Sequence, residues 1–247
     1  MKKILFALVL ALQSLLGTEA LAAPCTTSTL AAYLGLGSSG CTIGSFRFSD
    51  FGLLTPPTGS IPFRSVTVTP VAVGMSIGLD FGVSAGAGAG VLLDDLISYR
   101  ISGIGASLDG ASLFFTGSST TGDGAVTVVE NLCVGGLFLG ADGVSGCSGT
   151  PRNLIVVDTF GSTDPLMSLA FLSALSLAVV TDIGVDGGTA GSASLISASN
   201  RFRIAASRVP EPSPLLLVVA GLLALFGSGA ARRLRVSRLA GRSAFRV

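Results

Sequence analysis

Apolar and polar residues alternate with a period of two through most of the chain's middle. Val66 and Val68 alternate with threonines, and the pattern continues past Pro70 into Val71 and Val73. SIGLDFGV places Ile77, Leu79, Phe81 and Val83 on one face and Asp80 on the other. DDLISYRISGIGASL sets Leu96, Ser98 and Arg100 against Ile97, Tyr99 and Ile101. Such alternation is the mark of half-buried strands. GAVTVVENLCV and NLIVVDTF are rich in β-branched residues, and LSLAVVTDIGVDGG runs into a glycine turn from which SASLISASNRF returns. Gly-Ser, Asp-Gly and Gly-Gly pairs separate the runs. Pro70 has no amide to donate, so its strand belongs at an edge or a bulge. The run 166–180 fits helix or strand by period alone, and its Gly-rich β surroundings favour strand.

The period differs in two places. In CTTSTLAAYLGLGSSGC, Leu30, Tyr33 and Leu34 recur at helical spacing. Thr27 or Ser28 can cap a short helix there, and Gly35 and Gly37 can end it. IGSFRFSDF alternates only loosely through Ile43, Phe46 and Phe48. The expected fold is all-β: an antiparallel sandwich, jelly-roll or Ig-like, with a short N-terminal helix.

Both chain ends read as targeting segments. Two lysines, an apolar core from Ile4 to Leu16 and Ala20-Leu21-Ala22 form a secretory signal peptide, residues 1–22, cut after Ala22 by signal peptidase. Its apolar core is short for a membrane span of ~20 residues. At the other end, Pro214 to Ala231 is 18 residues without a charge. That is about 27 Å of helix, just enough to cross a bilayer. Arg232, Arg233, Arg235, Arg238 and Arg242 follow as a cytoplasmic stop, which puts the body, residues 23–207, on the far side of the membrane.

Composition narrows what the body can do. Residues 23–208 hold seven Arg, eleven Asp and one Glu, a net charge of −5. A mildly acidic surface without basic clusters excludes nucleic-acid binding. The chain has no His and no Trp. There is thus no Ser-His or Cys-His pair and no histidine ligand or base, and a sugar platform of indole rings is absent. The four cysteines, Cys25, Cys41, Cys133 and Cys147, suit disulfides in an exported protein. Of three possible pairings, Cys25–Cys41 with Cys133–Cys147 closes two loops of modest length and is favoured. Each bridge is worth about 3 kcal/mol in limiting the unfolded chain. Without His or close Cys-x-x-Cys spacing they are not a metal site.

No motif elsewhere carries chemistry. GAGAG (86–90) and TGDG (121–124) lack the lysine of a phosphate loop. DIGVDGG (182–188) lacks the further ligands of a calcium loop and reads as a turn. The acids Asp94, Asp95, Asp123, Glu130 and Asp142 are expected in turns or at strand edges, serving solvation. No enzyme activity, cofactor or metal is expected.

The tail, 208–247, resembles a known family signal. Val209-Pro210-Glu211-Pro212-Ser213, then the apolar span 214–231, then the arginines of 232–247, is similar to the PEP-CTERM sorting signal of Gram-negative bacteria. Two prolines hold the motif extended and free of backbone pairing. The resemblance implies that Pro210, Glu211 and Pro212 are the recognition motif. It also implies that an exosortase, an integral-membrane cysteine protease or transpeptidase, processes the tail near them. The body's GCTIG…F.F.DF opening and DIGV.GG also resemble bodies found ahead of this tail. The family's link to exopolysaccharide and biofilm implies a non-enzymatic surface or matrix protein, anchored in the membrane before processing and then released to the envelope, outer surface or matrix. The alternative is a polysaccharide- or protein-binding module that stays tail-anchored.

Overall fold

In the computed structural model, residues 22–54, 61, 62, 64–140 and 142–206 are described. The signal segment to residue 21 and the tail from 207 onward lie outside them. So do the sorting motif Pro210, Glu211 and Pro212, the span 214–231, and Arg232, Arg233 and Arg235.

The alternating runs become fourteen strands among the described residues: β1 (Ser28–Thr29), β2 (Cys41–Ile43), β3 (Phe46–Leu54), β4 (Thr67–Val73), β5 (Ser76–Gly88), β6 (Leu92–Gly103), β7 (Leu108–Thr116), β8 (Ser119–Thr121), β9 (Ala125–Val134), β10 (Thr150–Thr159), β11 (Ser162–Asp164), β12 (Leu166–Ala174), β13 (Ser176–Asp186) and β14 (Ser192–Ile204). They form two antiparallel sheets. The first runs β1-β4-β5-β14-β7-β12, with β8 paired to the end of β14; the second runs β11-β10-β9-β13-β6-β3-β2. This is the expected antiparallel two-sheet sandwich. From β5 to β7 and from β12 to β14 the chain passes to the other sheet at each turn, so sequence neighbours face one another across the core.

Period-two burial follows the sequence closely. Ile77, Leu79, Phe81 and Val83 of β5 are buried, as are Ile97, Tyr99 and Ile101 of β6. Phe46, Phe48, Phe81 and Phe202 fill the space between the sheets, and Tyr99 stacks on Phe51 at 5.4 Å. Pro70 lies on β4 beyond the two residues that β1 covers, at a sheet edge. The run 166–180 is strand, but it is two strands. Leu175 separates β12 in the first sheet from β13 in the second.

The loose alternation of β3 has a local cause. Asp50 adopts φ 54° and its amide donates to the Gly37 carbonyl at 2.9 Å. The resulting bulge between Ser49 and Gly52 turns Phe51 back into the core. The helix, α1 (Leu30–Leu34), buries Leu30 and Tyr33 as expected. Its N-cap, however, is Thr29, whose Oγ1 accepts from the Ala32 amide at 3.3 Å, and not Thr27 or Ser28. The buried Leu30 amide takes the Val66 carbonyl, which starts the helix later than the hydroxyl pattern suggested. Gly35 is the C-cap.

Both disulfides pair locally: Cys25–Cys41 and Cys133–Cys147. The first ties the segment before β1 to the edge strand β2. The second closes the loop between β9 and β10.

Two acids depart from expectation. Asp95 and Glu130 are buried inside strands, not in turns or at edges. Strand phase is the reason. Glu130 is in step with Val126, Val128 and Leu132, and Asp95 with Ile97 and Tyr99, so the backbone register turns both carboxyls inward. Neither oxygen of the Glu130 carboxyl has a hydrogen-bond partner among the described residues. Burial raises Glu130 well above the usual carboxylate range. Burial, and then the neighbouring Asp94, raise Asp95 to about 6. Asp123 and Asp142 do sit in turns as expected. Asp123 accepts from Thr189 and from the Ala190 amide, which hold it at about 2.

These shifts set the pH dependence of stability. Glu130 and Asp95 keep their protons in the folded chain where the unfolded chain has lost them. Their contribution is complete below the unfolded carboxylate range, near pH ~4, and is lost as pH rises through the folded values. Asp123 acts oppositely and loses its contribution as pH falls below ~4. The urea midpoint is expected to peak in mild acid, near pH ~4–5, and to fall towards pH ~8, with Glu130→Gln flattening the fall. A midpoint that climbs from pH ~5 to ~8 contradicts this assignment.

Candidate functional site

Strand β14 lies at the centre of the first sheet and turns Ala198, Asn200 and Phe202 inward. Its alternate residues, Ser199, Arg201 and Arg203, therefore stand on the outer face. Pairing on both sides arranges that face in rows. Ser76, Arg203, Gly110 and Ala170 lie across one row, Gly78, Arg201, Ser112 and Ser168 across the next, and Asp80, Ser199, Phe114 and Leu166 across the third.

Arg201 is the most firmly held of these groups. Its Nη2 is 2.7 Å from Asp80 Oδ1, and Nη1 donates to the Asn200 carbonyl at 3.1 Å. Ser199 Oγ donates to the same Asp80 oxygen at 2.5 Å. The guanidinium also covers the Phe114 ring, 5.1 Å from its centroid, a cation–π contact. Arg203 Nε donates to Asp109 Oδ1 at 2.6 Å and Nη2 to the Asp109 carbonyl at 3.2 Å. Arg203 lies over Gly110, where an added Cβ would be in ordinary contact with the guanidinium carbon at 3.4 Å and would press on the Leu169 carbonyl at 3.0 Å. Ser168 Oγ donates to Ser112 Oγ at 2.8 Å.

Together these groups line an open hollow of about 320 Å³ bounded by Ser76, Gly110, Ser112, Ser168, Arg201 and Arg203. It offers guanidinium donors and hydroxyls that both donate and accept. Each arginine already has a carboxylate, so the hollow is polar without a large net charge. That suits a ligand dense in hydroxyl groups better than an anion.

The second sheet carries an acidic hollow on its outer face. Asp94 and Asp182 meet there, with Asp186, Thr127 and Gly184 alongside. Burial, then the hydrogen bond and charge of Asp94, raise Asp182 to about 7. The two carboxyls are in hydrogen-bond contact, closer than the ~5–5.5 or ~6.5–9.5 Å at which carboxyl pairs flank a glycosidic bond. Among the described residues no group of three His, Cys, Asp or Glu could hold a metal ion. Of DIGVDGG, residues 182–186 end β13 and the turn begins only at Gly187-Gly188, where Asp186 Oδ1 accepts from the Gly188 amide at 2.8 Å.

Of the residues singled out from sequence, the structure joins Cys25 to Cys41 and Cys133 to Cys147, and these bridges suit an oxidising, extracytoplasmic setting. Arg201, Arg203, Asp109 and Ser168 were not foreseen. The NRFRI alternation does put both arginines on one face, but nothing in the chain links them to Asp80 or Asp109. Among the described residues no helix is long and apolar enough to cross a membrane.

No family model matches the chain, and no curated protein matches it. Solved structures overlap it weakly. The carbohydrate-binding module TmCBM61, in complex with β-1,4-galactotriose, shares 12% identity at a TM-score of 0.30, covering 63% of this chain and 89% of its own. The enzymatically active domain of tailspike protein 4 from bacteriophage CBA120 shares 12% identity at 0.27, covering 61% of this chain and 19% of its own. The glycosylation-associated protein complex Gap123 of Streptococcus agalactiae shares 16% identity at 0.25, covering 54% and 22%. Overlaps at this level carry no argument about the site.

The two ion pairs are expected to differ in strength. The Arg201 and Asp80 side chains are 16% and 32% exposed, against 55% and 31% for Arg203 and Asp109. Double-mutant cycles by urea unfolding are expected to give a coupling of roughly 1–2 kcal/mol for Arg201–Asp80 and under ~1 kcal/mol for Arg203–Asp109. Equal couplings contradict the assignment of Arg201 as the anchored member of the pair.

Proposed function

We propose that this chain is an exported, non-enzymatic β-sandwich of the cell surface or extracellular matrix that engages a hydroxyl-rich polysaccharide through the outer face of its first sheet. The carrying observation is the cluster of Arg201, Arg203, Ser112 and Ser168, from two adjacent rows, around the hollow at Gly110. The interleaved order β5-β14-β7-β12 over β6-β13-β9-β10 supports the jelly-roll form of the two sandwiches expected. The C-terminal PEP-CTERM signal hands the exported chain to an exosortase, which processes it near Pro210-Glu211-Pro212. Before processing, the apolar segment 214–231 holds it in the membrane, with Arg232, Arg233 and Arg235 on the cytoplasmic side. The net charge of −5 over residues 23–208 favours a neutral polymer over a uronic-acid one.

The test uses the surface form from cells that carry an exosortase. Its intact mass is expected to end near Pro212. A chain that keeps its full tail there contradicts the sorting assignment. Retention on immobilised neutral exopolysaccharide is expected to fall about tenfold or more in Arg203→Ala, whose side chain is exposed enough to leave the fold unchanged. Unchanged retention in Arg203→Ala sinks the binding face.

A further inference from the structure

The sandwich has several open strand edges, and they are not alike. An open edge presents unpaired amides and carbonyls to any other strand, and natural sheets blunt such edges with short strands, proline or charge. In the second sheet, β2 and β11 are three residues each, and β2 is held by the Cys25–Cys41 bridge. The part of β10 that β11 leaves open carries Pro151 and Arg152. In the first sheet, β4 is partly covered by β1 and carries Pro70 where it is open, and β8 is three polar residues.

Strand β12 has none of these devices within it. It is nine residues long and, among the described residues, pairs only with β7. From Leu166 to Thr181 the chain has no charge and no proline. Leu166, Met167 and Leu172 are exposed, with Leu172 at 91%, and Ile155 and Phe160 of the neighbouring sheet edge are exposed too. The Met167 sulfur accepts from the open Ile155 amide at 3.3 Å, so it belongs to this same side of the sandwich. Two extra residues between Ala170 and Ala174 break the ladder with β7, which leaves Leu166–Ala170 as the regular, open stretch.

We propose that β12 is a self-association edge, on which the Leu166–Ala170 stretch pairs antiparallel with the same stretch of a second copy. Antiparallel pairing of one strand with itself is two-fold symmetric and needs only a self-complementary edge. An uncharged edge meets this condition, because no like charges oppose one another across the axis. The pairing joins two copies of the first sheet into one and sets two Arg201–Arg203 rows on a continuous face. It does not depend on what that face binds. A single-strand contact is small, so the dimer is weak, in the micromolar range.

The experiment uses the full chain in detergent micelles. Leu166, Met167, Ala170 and Leu172 are each replaced by cysteine and oxidised, with Val73→Cys at the exposed end of β4 as the control edge. A cross-linked dimer is expected at one or more of the β12 positions and not at Val73. In sedimentation, the wild-type chain is expected to pass from monomer to dimer as its concentration rises, while Leu166→Lys stays monomeric with an unchanged circular dichroism spectrum. Absence of cross-links at all four β12 positions overturns the proposal. Equal cross-linking at Val73, or a ladder of larger species in place of a dimer, also overturns it.

Discussion

Asn200 ties the two sheets together. Its amide nitrogen donates to Tyr99 Oη at 3.0 Å and to Thr181 Oγ1 at 2.6 Å, across an otherwise apolar interior. All three residues are almost completely buried, and groups so placed are costly to leave unpaired. The tie admits one register for β14. A slip of one residue would expose Asn200 and Phe202 and drive Arg201 into the core. The outer face depends on that choice, because the strand that fixes Asn200 inside is the one that carries Ser199, Arg201 and Arg203 outside.

The interior is unusual for its acids. Glu130, fully buried on β9, stands directly opposite Thr181 on β13, so it borders the Asn200 tie. In its neutral form it adds a proton donor to a region where the side-chain oxygen of Asn200 lacks a partner among the described residues. The cluster is therefore tuned to mild acid, with the ionised form of Glu130 opposed by burial. Covalent closure is placed elsewhere, at the rims. One bridge secures the segment ahead of β1 and the other the long β9–β10 loop, so neither bridge sets the register of the central strands.

Much of the architecture is legible along the chain because burial follows period two. Ile97, Tyr99 and Ile101 announce an inward face, Pro70 an edge, and the two close cysteine pairs their own bridges. Glu130 was legible in phase but masked by chemistry. Its position among Val126, Val128 and Leu132 points inward, while a carboxylate in isolation argues for solvent. The break at Leu175 between β12 and β13 has no signature, since both strands are apolar and the chain merely changes sheet. The outer-face site was the least visible. Asp80 and Arg201 are 121 positions apart, and only strand pairing makes them neighbours. The tail is different in kind: its motif, span and arginines are read consecutively, without a fold.

The central claim is that the register set by Asn200 builds a polysaccharide-binding face on the first sheet. The most direct measurement is amide chemical-shift mapping during titration with a neutral exopolysaccharide. Shifts are expected to concentrate at Ser76, Gly110, Ser112, Ser168, Arg201 and Arg203 while β9 and β13 remain still. Shifts that concentrate on Asp94, Thr127 and Asp182 of the second sheet, or an absence of shifts at saturating polymer, contradict it.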